Sequence, residues 1–253
     1  MRHKPEAANK PAAQKWSREV LPDGRLVYVV RHDRVPGGTK ALVLPKIITA
    51  LAEATPTKFS YATPSWGYAQ FALSVTCKAA GHEAHIFVPA RKERSVPTEL
   101  AADAGAVLHE VRPGYLSVVQ RRQAEWLVDN PGAVGLPFGL HMAAMDAGLE
   151  DMANGMSRPP KGSRVWVAAG SGTLWRALVR AWPDCQFGVV QVGKDVDLTE
   201  LRPGDLSFVA PEKFERPAKQ PPPFPSALNY DAKVWQFVIE HALDGDVIWN
   251  VAG

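Results

Sequence analysis

Two short segments combine glycine with hydroxyl or amine side chains at a spacing that chemistry can use. The first, Gly170-Ser-Gly-Thr173, lies directly after an apolar run typical of a buried strand and directly before a helical pattern. Glycines let backbone N–H groups at a helix N-terminus approach a phosphate, and the hydroxyls of Ser171 and Thr173 add donors. The segment lacks the third glycine of a dinucleotide fingerprint and the lysine of a P-loop. Ser171, Gly172 and Thr173 therefore form either a phosphate cradle or a tight turn with a helix cap.

The second segment, Gly37-Gly-Thr-Lys40, also lies between a predicted strand and a predicted helix. A lysine becomes a nucleophile when burial or a neighbouring positive charge lowers its pKa. A lysine at the start of a helix is more commonly solvated, and the local sequence does not distinguish the two. Lys40 is thus either a reactive amine or an ordinary surface residue.

The order of these segments resembles the fold type II pyridoxal-phosphate enzymes, the tryptophan-synthase-β-like group. Residues 29–40 resemble the strand, turn and Gly-Gly-(Asn/Thr)-Lys of that family, in the form VVRHDRVPGGTK. FALSVTCKAAGHEAHIFVPA, TELAADAGAVLHEV and VAAGSGTLWRAL then follow in family order. Asn229-Tyr-Asp-Ala-Lys233 and the final VIWNVAG are similar to segments of the aminocyclopropane-carboxylate deaminase and D-cysteine desulfhydrase branch. The resemblance covers about residues 25 to 253, in a chain several tens of residues shorter than is usual.

The resemblance implies a cofactor, pyridoxal 5'-phosphate (PLP), and roles for particular residues. Lys40 corresponds to the lysine that carries the cofactor as a Schiff base and later moves the Cα proton. Gly170, Ser171, Gly172 and Thr173 correspond to the phosphate loop, and Tyr230 to an active-site tyrosine of the deaminase branch. A buried structural tyrosine is the alternative for Tyr230.

Two family positions are altered. Ser65, Trp66 and Gly67 lie where the family has Ser-Asn-(His/Gln) beside the cofactor, and a tryptophan offers one N–H in place of an amide. Val251 replaces a hydroxyl residue that bonds the pyridine nitrogen. Asp231 corresponds to the acidic residue of the deaminase branch, and we expect it either to face that nitrogen or to cap the last helix.

Three further residues are weaker candidates. His141 follows Leu136-Pro-Phe-Gly-Leu140, which resembles the loop across the cofactor face, so it is either a base or a helix-start histidine. Tyr61 and Tyr68 either line a pocket or pack in the core.

These residues must be held by an alternation of strands and helices. Period and turn signals predict strands over 26–31, 58–62, 85–88, 107–111, 133–136, 164–168, 187–192 and 246–249. Helices are predicted from the lysine segment to about 54, then over 68–80, 97–104, 116–128, 142–152, 174–181 and 231–243. This order predicts an α/β fold with two parallel-sheet domains.

The predicted domain organisation has three parts. Residues 1–24 form a flexible basic arm, residues 25–54 with 141–253 form the larger cofactor-binding domain, and residues 55–140 form a smaller inserted α/β domain. The cofactor is expected in the cleft between the two domains. The proline-rich stretch 213–226 is predicted to be an extended crossing segment.

Composition supports an ordinary globular protein. Apolar residues make up 46% and charged residues 22% of 253 residues, and the net charge is +3. Two cysteines, Cys77 and Cys185, without a Cys/His cluster, argue against a disulfide framework or a zinc site. A signal-peptide core and an apolar run long enough to cross a membrane are both missing, which favours the cytoplasm, or the host cytoplasm if the chain is phage-encoded.

Three functions are compatible with these residues. The first is a PLP-dependent lyase or deaminase acting at Cα or Cβ of a small amine or amino acid, with a homodimer expected. The second is PLP-dependent decarboxylation or elimination on an amino-acid-modified pyrimidine in phage DNA. The third is a non-catalytic binding protein that keeps the scaffold, against which the retention of Lys40 argues.

Overall fold

The computed structural model describes residues 16–53, 56–193 and 195–253. Within these ranges the strands are β1 (Ser17–Val20), β2 (Leu26–Arg31), β3 (Lys58–Ala62), β4 (Glu83–Pro89), β5 (Val107–Val111), β6 (Val134–Leu136), β7 (Arg164–Ala169), β8 (Gln186–Gln191), β9 (Leu206–Val209) and β10 (Val247–Asn250). The helices are α1 (Gly38–Ala41), α2 (Leu44–Leu51), α3 (Ala69–Ala80), α4 (Val96–Asp103), α5 (Leu116–Asp129), α6 (Ala143–Asn154), α7 (Thr173–Ala181) and α8 (Trp235–His241). Short 3₁₀ turns cover His32–Arg34, Phe138–Leu140 and Asp231–Val234.

The strands form two sheets. The six-stranded sheet has the order β1-β2-β10-β7-β8-β9, and the four-stranded sheet has the order β5-β4-β3-β6. All pairings are parallel except that of β1 with β2. The strands of the smaller sheet all come from residues 58 to 136. The predicted α/β fold with two parallel sheets is therefore present.

The central strands β7 and β10 of the larger sheet are buried on both faces, as their apolar runs predict. Trp166 of β7 and Trp249 of β10 are fully buried, and so are Trp175 of α7 and Val238 of α8. Gly188 of β8 is required here because a Cβ at that position would lie 2.5 Å from the Trp166 ring. The indole N–H of Trp166 donates to the buried carboxylate of Asp246 over 2.9 Å.

Four predictions about secondary structure need correction. Ser17–Val20 lies in the segment predicted to be a flexible arm, yet it pairs with β2 as an edge strand; residues 1–15 of that arm lie outside the described residues. Leu206–Val209 forms a strand where no regular element was predicted, paired with β8. The helix predicted after Lys40 is two helices, because Pro45 sits in the first turn of α2. The last predicted helix begins with a 3₁₀ turn and ends at His241.

Candidate active site

A cavity of about 620 Å³ lies where the carboxyl ends of strands from both sheets meet. Tyr61 and Thr63 reach it from the end of β3, Gly170 from the end of β7, Val192 from the end of β8 and Val251 from the end of β10. Ligand sites in open parallel sheets lie at such strand ends. Both glycine-bearing segments of the sequence contribute to its lining.

Lys40 projects into this cavity from α1. The N-cap of this helix is Gly37, whose φ of 82° lies in the left-handed region. A Cβ at Gly37 would lie 2.7 Å from Cα of Ala72 in α3, so glycine allows α1 to sit close to that helix. Burial lowers the pKa of Lys40 to about 8. A lysine with such a pKa is partly neutral near physiological pH and can act as a nucleophile.

The backbone of Gly139 connects Lys40 to the other parts of the site. Its carbonyl accepts a hydrogen bond of 2.7 Å from Lys40 Nζ, and its N–H donates to the hydroxyl of Tyr61 over 3.1 Å. Gly139 and the buried Leu140 both have positive φ, of 71° and 56°. The left-handed backbone is costly for leucine, and such strain is found where surrounding structure fixes a functional loop.

Gly139 also packs directly against the predicted phosphate loop. A Cβ at Gly139 would lie 2.7 Å from Cβ and 2.8 Å from Oγ of Ser171. Lys40, Gly139 and Ser171 are therefore neighbours, although about 100 residues of chain separate the first two. The structure brings the lysine segment and the glycine loop into one site.

The glycine loop has the features of an anion cradle. Gly172 precedes α7 with a φ of 77°, and the hydroxyls of Ser171 and Thr173 lie 3.0 Å apart. The first backbone bond of α7 runs from Arg176 N to Gly172 O, which leaves the N–H groups of the first turn without helical acceptors. All four residues from Gly170 to Thr173 line the cavity.

Tyr230 holds the start of this loop. Its hydroxyl accepts from Gly170 N over 3.0 Å and donates to Ala168 O over 3.1 Å. Burial is the main reason that the pKa of Tyr230 is raised, so the phenol stays protonated. Because Tyr230 also lines the cavity, its position fits the predicted active-site tyrosine, while its hydrogen bonds give it a structural task.

The loop after β3 differs from its prediction at Ser65. Trp66 and Gly67 line the cavity, but Ser65 does not. The hydroxyl of Ser65 instead accepts from Arg91 Nε over 2.9 Å, and its carbonyl accepts from Gln70 Nε2 over 2.9 Å. Trp66 packs under Arg91 with the guanidinium 5.9 Å from the ring centre, and its indole N–H has no acceptor among the described residues.

Asp231 is buried behind the cavity wall and is not part of its lining. Its Oδ2 accepts from Ala252 N over 3.1 Å, whereas Oδ1 finds no hydrogen bond within the described part of the chain. The carboxylate does not cap the last helix, so that alternative is wrong. Burial raises the pKa of Asp231 well above its usual range. Its predicted role at the pyridine nitrogen stays a prediction.

The remaining candidates divide clearly. Tyr61 and Tyr68 both line the cavity, and burial raises the pKa of each to about 12. His141 is exposed, and its Nδ1 lies 3.6 Å from Asp146 Oδ2. It is a helix-start histidine outside the cavity.

The described residues contain no group of three or more His, Cys, Asp or Glu side chains that could hold a metal ion. None of the described helices is both long and apolar enough to cross a bilayer.

Two parts of the site had no role of their own predicted from the sequence. Gly139 lies in the loop that resembles the family's loop across the cofactor face, but its role here is a close backbone approach, which no side-chain pattern reports. The segment Lys213–Glu215, in the stretch predicted to be a crossing segment, forms part of the cavity wall. The buried Lys233 fixes this segment, because its Nζ donates to the carbonyls of Glu212 and Lys213 over 3.2 and 2.9 Å.

Solved structures share this architecture over nearly the whole chain. An aminocyclopropane-carboxylate (ACC) deaminase homologue superposes with a TM-score of 0.75 at 14% identity, covering 94% of this chain and 89% of the other. An O-acetylserine-dependent cystathionine β-synthase from Helicobacter pylori gives a TM-score of 0.71 at 12% identity, covering 100% and 97%. A fungal L-serine ammonia-lyase from Rhizomucor miehei gives 0.65 at 13% identity, covering 96% and 93%.

These neighbours are fold type II PLP enzymes, and the chain has their fold. No protein-family model and no curated protein sequence matches it. Identities of 12 to 15% establish a shared fold, and a shared fold does not by itself fix the function.

Proposed function

We propose that this chain is a PLP-dependent enzyme of the lyase or deaminase type that carries the cofactor on Lys40 and acts on a small amino acid. The observation that supports it is that Lys40 Nζ and the Ser171 loop belong to one cavity and both contact Gly139. Structural neighbours include an L-serine ammonia-lyase and a threonine deaminase, which are enzymes of this general kind.

The residues present fit the cofactor. PLP needs an amine for covalent attachment, an anion cradle for its phosphate and polar groups around its ring. The chain offers Lys40, the loop of Ser171 and Thr173 at the start of α7, and the indole N–H of Trp66, a buried donor left without an acceptor by the described residues. Trp66 lines the same cavity, in the segment where the family carries its amide residue.

The chemistry follows from where the side chains stand. When bound, PLP withdraws electrons from the Cα of an attached amine and so makes its proton labile. Lys40 Nζ, held at the Gly139 carbonyl with a lowered pKa of about 8, can accept this proton and return it. Ser171 and Thr173 would bind the phosphate and fix the cofactor relative to Nζ. The aromatic rings of Trp66 and Tyr68 would exclude water from the reacting face.

Spectroscopy with a covalent trap tests this proposal. Wild-type protein should gain visible absorbance on addition of PLP, and borohydride followed by peptide mapping should find the cofactor on Lys40. The control is Lys58→Ala, at a lysine whose Nζ lies 3.4 Å from Asn130 Oδ1 and which does not line the cavity. It should label like the wild type, whereas Lys40→Ala should not label. An adduct on another lysine, or none, would refute the site.

Substrate class is tested on the loaded protein. Free amino acids such as serine, alanine and cysteine derivatives should change the visible spectrum, and ammonia or another product should appear. A change seen only with DNA that carries amino-acid-modified pyrimidines, and weakening as salt rises, would favour the second function over the first. Bound cofactor with no turnover of any amine would favour a binding protein.

A further inference from the structure

Arg176 lies directly behind the glycine loop although it does not line the cavity. It belongs to the first turns of α7, and helical side chains lean toward the N-terminus of their helix. Its Nη2 donates to the carbonyl of Ser171 over 2.9 Å, and its side chain is 17% exposed. A Cβ at Gly172 would lie 2.5 Å from Arg176 Nη1, so the guanidinium packs flush against the loop backbone.

This hydrogen bond fixes the orientation of one peptide group. In a trans peptide the C=O of one residue and the N–H of the next point in opposite directions. Because the Ser171 carbonyl points toward Arg176, the Gly172 N–H points away from it. Gly172 itself lines the cavity, and this N–H finds no acceptor among the described residues. The arginine thus holds the loop in a form that presents a free donor to the cavity.

The guanidinium also contributes charge. Arginine stays protonated at any relevant pH, and two acidic groups face it. Glu200 Oε1 lies 4.0 Å from Arg176 Nε with 42% of the glutamate side chain exposed, and Asp197 is exposed. Water screens both carboxylates more strongly than it screens the largely buried guanidinium. A net positive potential therefore remains beside the first turn of α7, where the helix dipole has the same sign.

We propose that Arg176 is a positioning residue of the phosphate subsite, which orients the 171–172 peptide and biases the loop toward a dianionic phosphate ester. The inference rests on the proposed function, because the phosphate in question is that of PLP. It adds a residue outside the cavity lining to the four loop residues that the sequence identifies. Arg176 should therefore affect binding of the cofactor's phosphate and leave binding of its pyridine ring unchanged.

Paired ligands and matched variants test it. PLP and pyridoxal, which lacks the phosphate, are titrated against wild type, Arg176→Gln, Arg176→Lys and Arg180→Gln. Arg180 is the control because it lies one turn further along α7 and pairs with Glu150, 3.0 Å away. Arg176→Gln should weaken PLP by roughly 10-fold, the effect of one charge-assisted hydrogen bond, and change pyridoxal by less than about 2-fold. Arg176→Lys should recover part of the loss, and Arg180→Gln should bind both like the wild type.

A second readout separates charge from mere loop damage. The pKa of the bound phosphate, near 6 when free, can be followed by ³¹P NMR. It should rise in Arg176→Gln and fall in Glu200→Gln, which removes the counter-charge. Equal losses for PLP and pyridoxal, equal losses in Arg176→Gln and Arg180→Gln, or an unchanged phosphate pKa would each overturn the inference. If wild type binds PLP without a Lys40 adduct, the proposed function fails while the phosphate comparison still decides the role of Arg176.

Discussion

Replacing Gly139 by alanine tests whether the two halves of the site depend on a close backbone contact. The change has two costs in the free energy of unfolding. A left-handed φ of 71° is unfavourable for alanine by about 1–2 kcal/mol. The new Cβ would also lie 2.7 Å from Cβ of Ser171, and such overpacking typically costs about 1–3 kcal/mol. The expected loss is therefore about 2–5 kcal/mol.

Gly132→Ala is the matched control because Gly132 precedes β6, the strand that Gly139 follows. Its φ is 92°, and a Cβ there would meet no atom of the described residues within 4 Å. The control should lose only the backbone cost, about 1–2 kcal/mol. The difference between the two variants, measured by urea unfolding, isolates the contact with Ser171.

Cofactor retention gives the functional part of the same prediction. Displacing Ser171 should weaken PLP binding by roughly 10-fold or more, as expected when one hydrogen bond to a charged group is lost. Gly132→Ala should bind PLP like the wild type. If Gly139→Ala matches Gly132→Ala in both stability and PLP affinity, then Gly139 does not position the loop.

Three further predictions concern titration and buried polar groups. The stability of the apo protein relative to Lys40→Met should rise by up to about 3 kcal/mol between pH 8 and 10.5, because the folded amine loses its proton at the lower pKa; urea midpoints across that range check this. Tyr230→Phe should cost about 1–3 kcal/mol in urea unfolding by orphaning Gly170 N and Ala168 O. Asp231→Asn should change stability by less than about 1 kcal/mol, since an amide oxygen still accepts from the Ala252 N–H; lost turnover with cofactor retained would support its ring-nitrogen role.

Much of the fold follows from local patterns. The strand Val107–Val111 was predicted with these bounds, and the helices at 69–80, 116–129 and 173–181 within two residues. These elements have a clear period and end at glycine or proline, so their signal is local. The edge strands β1 and β9 were missed. Each has only four residues and pairs with a strand on one side alone, so few of its residues are buried and its hydrophobic pattern is weak.

The parallel α/β fold, and the two cavity-lining segments to which we assign the chemistry, Gly37–Lys40 and Gly170–Thr173, could be predicted from local sequence patterns. Each depends on contiguous residues: a strand, a glycine turn and a helix start. How the two segments meet could be seen only in the folded chain. Gly139 touches both segments, Arg176 orients the second from behind, and Ser65 turns away toward Arg91. These contacts join residues that are far apart in the chain, through backbone geometry and close packing. Local patterns of residue type and spacing do not report such contacts.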